Sequence, residues 1–403
     1  MQYTLSEKYK NTPRGQRAEE ILGNCVHCGM CTATCPTYQL LGDELDGPRG
    51  RIYQIKQVLE GEEATSIMQS HLDRCLSCLN CETTCPSGVE YGKLAEIGKE
   101  IVEEQVERSL VDRLQRRLLR LVIPYPSRFN LFYKLGLFFR FVLPATLKEQ
   151  LHKPKEAGDW PNTKHERKML VLDGCVQSVM SSNINVATAR VLDKLGISLL
   201  PVKESGCCGA VSLHLQASEE AKGFMRANID AWWPYIEAGA EAIVMTASGC
   251  GTVVKDYYEH LSRDPVYAEK AKKISSLIKD ISEIVVTEDL SKLKSSNKQT
   301  SVAAHIPCSL QHGQQINGVV ETILRKLDYD LTAVKDVHLC CGSAGTYSIL
   351  QAEISKKLRD NKLDALQQAN PDLIATANIG CLHHLQSGTE KPVQHWIELL
   401  DVS

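Results

Sequence analysis

Residues 25–36 read CVHCGMCTATCP, and residues 75–86 read CLSCLNCETTCP. Both follow the spacing C-x2-C-x2-C-x3-C-P, and the second run is the first displaced by 50 residues. Three cysteines spaced by two residues wrap a tight loop around one face of a cubane, so three irons are reached locally. The fourth cysteine opens the following helix and points away, towards a second cluster. By this logic Cys25, Cys28, Cys31 and Cys85 hold one [4Fe-4S] cluster, and Cys75, Cys78, Cys81 and Cys35 hold the other. Pro36 and Pro86 turn the chain after each fourth ligand. Gly29 leaves the first loop room beside inorganic sulfide, whereas Leu79 stands at the matching place in the second. Structural zinc is the alternative, since paired C-x2-C elements also build zinc sites. Zinc, however, gives no reason for a third cysteine at the same spacing or for the Cys-Pro ending.

Working outward, the 403-residue chain holds 16 cysteines, and a second repeat accounts for the eight not yet placed. Cys175, Cys207 and Cys208 return as Cys308, Cys340 and Cys341, each 133 residues on, and Cys250 returns as Cys381 after 131. Each half opens with an apolar strand pattern, KMLVLDGC (168–175) and TSVAAHIPC (300–308), continues through a helical stretch, and reaches Cys-Cys-Gly. A further strand, EAIVMTAS or PDLIATAN, leads to the last cysteine. Strands alternating with helices at these lengths predict parallel α/β layers, whose functional groups gather where strands end. Adjacent cysteines cannot both chelate one small ion without strain, but they can straddle a cluster or leave one thiol for redox chemistry. Gly209 and Gly342 permit close backbone approach or positive φ. The eight thiols are read as additional redox or metal sites, with buried structural cysteines as the alternative. His214, His305, His312 and His338 lie near them and are read as hydrogen-bonded residues rather than ligands.

The repeats predict an α+β and α/β multidomain chain. A helical two-[4Fe-4S] domain resembling bacterial ferredoxins occupies 1–105, a basic and aromatic helical arm 106–165, and two tandem cysteine-rich α/β halves 166–290 and 300–403. The polar run 291–299 is the linker between the halves. The stretch LLGDELDGPRGRIYQIKQVLEG (40–61), between the two cysteine runs, reads as a helical insertion that shields the clusters or as a docking face for a redox partner.

Net charge is −3, which supplies no global field for nucleic acid. No apolar run reaches 18 residues, and the N-terminus lacks an apolar signal region, so a reducing cytoplasmic setting is expected, where thiols serve metals. No complete GxGxxG, P-loop or GxSxG motif occurs, so neither a flavin, a nicotinamide nor a hydrolytic nucleophile is expected on this chain, and no catalytic residue is assigned. Residues 108–148 carry nine basic residues, Lys148 the last, against Asp112 alone, and five of the six phenylalanines. Such interleaving suits an amphipathic helix on an anionic membrane surface, contacting it through Arg113, Arg116, Arg117 and Arg120, or an arm packed on the α/β halves.

Two ferredoxin-type runs followed by two Cys-Cys-Gly halves resemble the bacterial glycolate oxidase (glycolate dehydrogenase) iron–sulfur subunits, the F subunits. The likeness covers nearly the whole chain and includes CVHCGMCTATCPTYQLLGDELDGPRGRIY, NIDAWWP, TASGCG, HLCCGSAGTY and TANIGC. It implies an electron-transfer subunit of a complex with two flavin-type subunits, FAD being carried there, that oxidises glycolate to glyoxylate. Electrons would reach a quinone-type acceptor, with the complex peripheral on the cytoplasmic face of the inner membrane. Related families include iron–sulfur subunits of glycerol-3-phosphate or lactate dehydrogenases and heterodisulfide reductase subunits. In the last, the half ends in C-x2-C; here Ala247 and Asn378 replace the first cysteine of that pair, leaving four thiols per half.

Overall fold

The computed structural model describes residues 2–142, 153–293 and 300–401; Lys148 of the arm and positions 294–299 of the polar run lie outside the described residues. The chain forms two compact units, Met1–Gln115 with His338–Leu358, and Arg116–Val337 with Arg359–Ser403. The segment bearing Cys340 and Cys341 thus groups with the N-terminal cysteine runs, a partition that follows space rather than the sequence division at 300–403.

In the first unit, Thr12 caps α1 (Pro13–Asn24) by accepting from the Gly15 N–H at 3.1 Å, and Pro13 occupies the first turn, where no donor is lost. Helix α2 (Pro48–Glu60) also starts with proline, and Thr65 caps α3 (Ser66–Asp73) through the Met68 N–H at 3.2 Å. Ile52, Ile55 and Leu59 recur at helical spacing on α2 and meet Ile21 and Leu22 of α1, Leu72 of α3, and Leu94 and Ile101 of α4 (Tyr91–Gln105) in one buried core. Gly98 lets α4 approach α2, because a Cβ there would lie 2.5 Å from the Ile55 side chain. Each cysteine run starts as a core helix ends, after Asn24 of α1 and just beyond Asp73 of α3. The core therefore holds both ligand loops at their entry points.

The second unit contains two four-stranded parallel sheets. β1 (Arg167–Val171), β2 (Ile197–Pro201), β3 (Ile243–Met245) and β4 (Ile278–Asp280) lie in the order β2-β1-β3-β4. β5 (Ser301–His305), β6 (Asp330–Leu331), β7 (Leu373–Thr376) and β8 (Val393–His395) lie in the order β6-β5-β7-β8. The cysteine repeat is therefore also a repeat of topology. Strand residues such as Leu170, Val171, Ile243, Val244, Ile374 and Ala375 are buried, as parallel strands covered on both faces require. Cys175, Cys207 and Cys250 follow the carboxyl ends of β1, β2 and β3, and Cys308 and Cys381 follow those of β5 and β7.

Two arm helices, α5 (Leu110–Val122) and α6 (Pro126–Phe138), divide the arm's basic residues. Arg116 is buried and donates to Gln216 at 3.4 Å, and Arg120 pairs with Glu220 at 3.1 Å. Arg113 and Arg117 are exposed. This corrects the expectation of one outward set of four arginines: the helical period turns two of them onto protein. Leu110, Val111, Leu114, Leu118 and Leu121 of α5, and Leu131, Phe132, Leu135 and Phe138 of α6, stand exposed. Among the described residues no helix is long and apolar enough to cross a membrane.

Candidate iron–sulfur centres

The two N-terminal runs share one backbone. His27 and Gly29 in the first loop have φ of 59° and 84°; Ser77 and Leu79 in the second have 51° and 61°. Holding a leucine in the left-handed region costs about 1–2 kcal/mol, so the loop conformation is imposed by the surrounding fold and not by local preference. Local space explains why glycine is kept in only one loop. A Cβ on Gly29 would lie 2.6 Å from the Arg49 guanidinium, whereas the Leu79 side chain lies over Gly92, where a Cβ would come within 2.5 Å of it.

Two adjoining cavities result. One, of about 450 Å³, is lined by Cys25, Cys28, Cys31 and Cys85, together with Val26, Met30, Arg49, Ile52 and Val89. The other, of about 300 Å³, is lined by Cys35, Cys75, Cys78 and Cys81, with Thr37, Arg51, Leu76 and Leu79. Pro48, Cys81 and Tyr91 line both. The first cavity thus draws three thiols from its own run and Cys81 and Cys85 from the other, and the second draws three from its own run and Cys35 from the other. The walls of the second include no carboxylate or imidazole, a donor set suited to iron–sulfur rather than to a hard cation.

Cys25, Cys31 and Cys81 resist ionisation. Burial, then the neighbouring Cys25 and Cys85, push the Cys31 thiol up to about 11. Burial and Cys78 push Cys81 well above the ordinary thiol range. Such crowding favours thiolates only when a cation joins them. Cys75 is the exception. Burial raises it, but Arg51, Lys99 and a hydrogen bond from the Tyr91 hydroxyl at 3.5 Å outweigh that and bring it down to about 7. Arg51, Lys99 and Tyr91 carry no signal in the cysteine spacing, and the sequence reading passed over them.

Asn80 binds this region together. It is buried, and its side-chain amide donates to the carbonyls of Thr34 and His338, each at 3.0 Å. Tyr347 donates to the Arg74 carbonyl at 3.1 Å. Both contacts fall within the first unit and hold the His338–Leu358 segment beside the second run.

In the first cysteine-rich half, the four thiols form a hydrogen-bonded row from Cys175 through Cys207 and Cys208 to Cys250. Hydrogen bonds with Cys207 and Cys250 hold the Cys208 thiol well below its ordinary range, while Cys207 is raised by its bonds with Cys175 and then Cys208, and Cys250 by its bond with Cys208. Asn228, on α7 (Ser218–Glu237), donates to the Cys207 carbonyl at 2.8 Å and to the Tyr257 hydroxyl at 2.9 Å, and Tyr257 donates to the Cys208 carbonyl at 3.0 Å. Gly209, at φ 93°, donates to the Cys207 sulfur at 3.4 Å; Gly342, at φ 88°, donates to the Cys340 sulfur at the same distance. The Cys-Cys-Gly turn is therefore reproduced in both halves. Of the second quartet, Cys308 and Cys381 lie in the second unit and Cys340 and Cys341 in the first. His305 is buried, and its Nδ1 is bonded to the Thr376 hydroxyl at 2.9 Å.

Fold and thiols together define an iron–sulfur electron-transfer protein, a dicluster module joined to a tandem of cysteine-rich domains. Residues 21–89 match the family described as the 4Fe-4S dicluster domain, and 169–255 and 302–386 match the Cysteine-rich domain. Among curated proteins the chain is 53% identical over 402 residues to the glycolate oxidase iron-sulfur subunit of Escherichia coli strain K12, covering 100% of this chain and 98% of that one. It is 28% identical to the probable glycolate oxidase iron-sulfur subunit of Bacillus subtilis strain 168, covering 96% and 93%. Lactate utilization protein A of the same organism is 24% identical over 52% of this chain and 87% of its own. The chain belongs to the family of glycolate oxidase iron–sulfur subunits.

Proposed function

We propose that this chain is the electron-transfer subunit of a flavin-dependent glycolate dehydrogenase complex, receiving electrons from two flavin-type subunits and delivering them to a quinone-type acceptor. What carries the reading is the pair of adjoining cavities, one lined by five cysteines and the other by four, each set drawn from both runs. Cys25, Cys28, Cys31 and Cys85 would hold one [4Fe-4S] cluster, and Cys75, Cys78, Cys81 and Cys35 the other. Such clusters, when bound, take up and release one electron at a time. The chain's own residues bind them through thiolate and exclude water with Ile52, Val89, Leu76 and Leu79. The shared wall of Pro48, Cys81 and Tyr91 brings the two sites together. Oxidising a 2-hydroxy acid removes a hydride from the α-carbon and a proton from the hydroxyl, and the hydride calls for an acceptor that a flavin supplies and thiol-bound iron does not. That acceptor belongs to the partner subunits.

The same reading extends to the cysteine-rich halves at 166–290 and 300–403, where Cys175, Cys207, Cys208 and Cys250, and Cys308, Cys340, Cys341 and Cys381, provide further redox or metal thiols. It also places the complex peripherally at the cytoplasmic face of the inner membrane, supported by the exposed apolar residues of α5 and α6 and the exposed Arg113, Arg117, Lys134 and Arg140.

The test is glycolate-dependent dye reduction by anaerobically purified protein. The isolated chain is expected to be inactive while containing iron and acid-labile sulfide, and activity is expected on adding the flavin subunits. Glycolate turnover by the flavin-free chain, or a colourless zinc-loaded chain, overturns the reading.

A further inference from the structure

The turn Gly47-Pro48-Arg49-Gly50-Arg51 supplies one arginine to each cavity. Arg49 lines the first and Arg51 the second, because residues two apart at the start of a helix face different ways. Their surroundings differ sharply. Arg49 is 37% exposed and its Nε lies 2.6 Å from the Glu44 carboxylate, so solvent and a full counter-charge screen it. Arg51 is 1% exposed. Its Nε donates to the His71 carbonyl at 2.8 Å, and its two terminal nitrogens reach the Thr37 hydroxyl at 3.3 Å. Its one carboxylate, Asp46, is 3.5 Å away and is shared with Arg74 and His71, each at 2.9 Å. Asp46 is shared with the part-exposed Arg74, so the buried Arg51 guanidinium lacks a full counter-ion of its own beside the second cavity. A buried charge without a full counter-ion is unfavourable. The four thiolates of Cys35, Cys75, Cys78 and Cys81 are the anion in reach.

We propose that Arg51, assisted by the Tyr91 hydroxyl on the Cys75 sulfur, makes the cluster of the second cavity the stronger electron acceptor of the pair. The proposal rests on the electron-transfer reading above. Reduction adds one negative charge, which the buried guanidinium and the O–H donor stabilise more than the oxidised form. In each transfer the cluster of the first cavity is oxidised by one electron and that of the second is reduced by the same electron, with no proton moved. Electrons therefore run from the Cys25 side to the Cys75 side, next to the segment that carries Cys340 and Cys341.

The experiment is a potentiometric titration of the full chain, purified anaerobically with both clusters and followed by electron paramagnetic resonance. Arg51→Gln is expected to lower the potential of one cluster enough to shift the equilibrium between the two at least tenfold, or 59 mV for one electron. Arg51→Lys, which keeps the charge, is expected to hold that shift under threefold, and Arg49→Gln to leave both potentials in place. Should Arg51→Gln lose iron, Tyr91→Phe decides: a downward shift of the same cluster, about threefold, supports the proposal, and no shift overturns it. Unchanged potentials in an Arg51→Gln chain with both clusters intact also overturn it. A wild-type chain without any reducible cluster refutes the electron-transfer reading instead.

Discussion

The side-chain amide of Asn378 donates to the sulfur of Cys381 at 3.4 Å, while its carbonyl oxygen accepts from the Gly249 N–H at 3.2 Å. It stands where a C-x2-C ending would place another thiol, and it joins α9 (Ile379–Gln386) to the start of α8 (Ser248–Lys255). An amide that gives a hydrogen bond to a cysteine keeps that sulfur as an acceptor without adding a negative charge. Asn378→Ala is expected to leave the N-terminal iron content unchanged and to lower stability by about 1–3 kcal/mol, the cost of unpaired buried groups. Thermal unfolding with a parallel iron assay checks this.

Cross-ligation has a separate signature. Cys35→Ser removes a thiol that lines the second cavity, although Cys35 belongs in sequence to the first run. The reduced variant is expected to show an altered spectrum only for the cluster of Cys75, Cys78 and Cys81. A change confined to the cluster of Cys25, Cys28 and Cys31 would show that each run serves its own cluster.

Asn80 pairs two carbonyls from opposite ends of the sequence, those of Thr34 and His338. Asn80→Ala removes both of these part-buried hydrogen bonds, an expected loss of about 2 kcal/mol. Limited proteolysis should then cut more readily within 338–358, and Tyr347→Phe, which removes the bond to Arg74, should act in the same direction more weakly. Proteolysis rates equal to wild type in both variants would remove these contacts from the account of the first unit.

The arm makes a distinction among its arginines. Charge reversal at the exposed Arg113 and Arg117 is expected to release the complex from anionic vesicles without loss of stability. Reversal at Arg116 and Arg120 is expected to destabilise the fold, since these face Gln216 and Glu220. Vesicle binding should weaken with added salt, because exposed charges are screened within about 8 Å at physiological ionic strength. Binding to neutral vesicles that ignores salt would exclude the electrostatic part.

What could be read from the sequence was the chemistry tied to local spacing. C-x2-C-x2-C-x3-C-P specifies its own loop, and the shared displacement of 133 residues announces a repeated sheet before any strand is seen. What could not be read depends on contacts between distant residues. Arg51 and Arg116 look like solvated charges, since nothing local marks a buried guanidinium, and Asn80, Asn228 and Asn378 look like ordinary polar residues. Leu79 was noted where its counterpart is glycine; the Gly92 that makes room for it lies 13 residues on, across a turn. The positive φ shared by both loops was invisible for the same reason. Backbone strain at a leucine is imposed by the fold and leaves no compositional trace.

The grouping of His338–Leu358 with the N-terminal runs bears on how the protein comes into being. By the time Cys85 has left the ribosome, all eight thiols of the two runs are present, yet His338 lies 253 residues further on. At bacterial elongation speeds, of about 5–20 residues per second, that gap is on the order of 10–50 s. Throughout it, Asn80 lacks one of its two carbonyl partners and Arg74 lacks Tyr347. A transcript cut short before residue 338 encodes all eight cysteines of the two runs and still yields a unit missing the segment His338–Leu358. Closure of the unit that holds both cysteine runs waits on residues made more than 250 positions later, so a finished first unit comes only from a chain translated past Leu358.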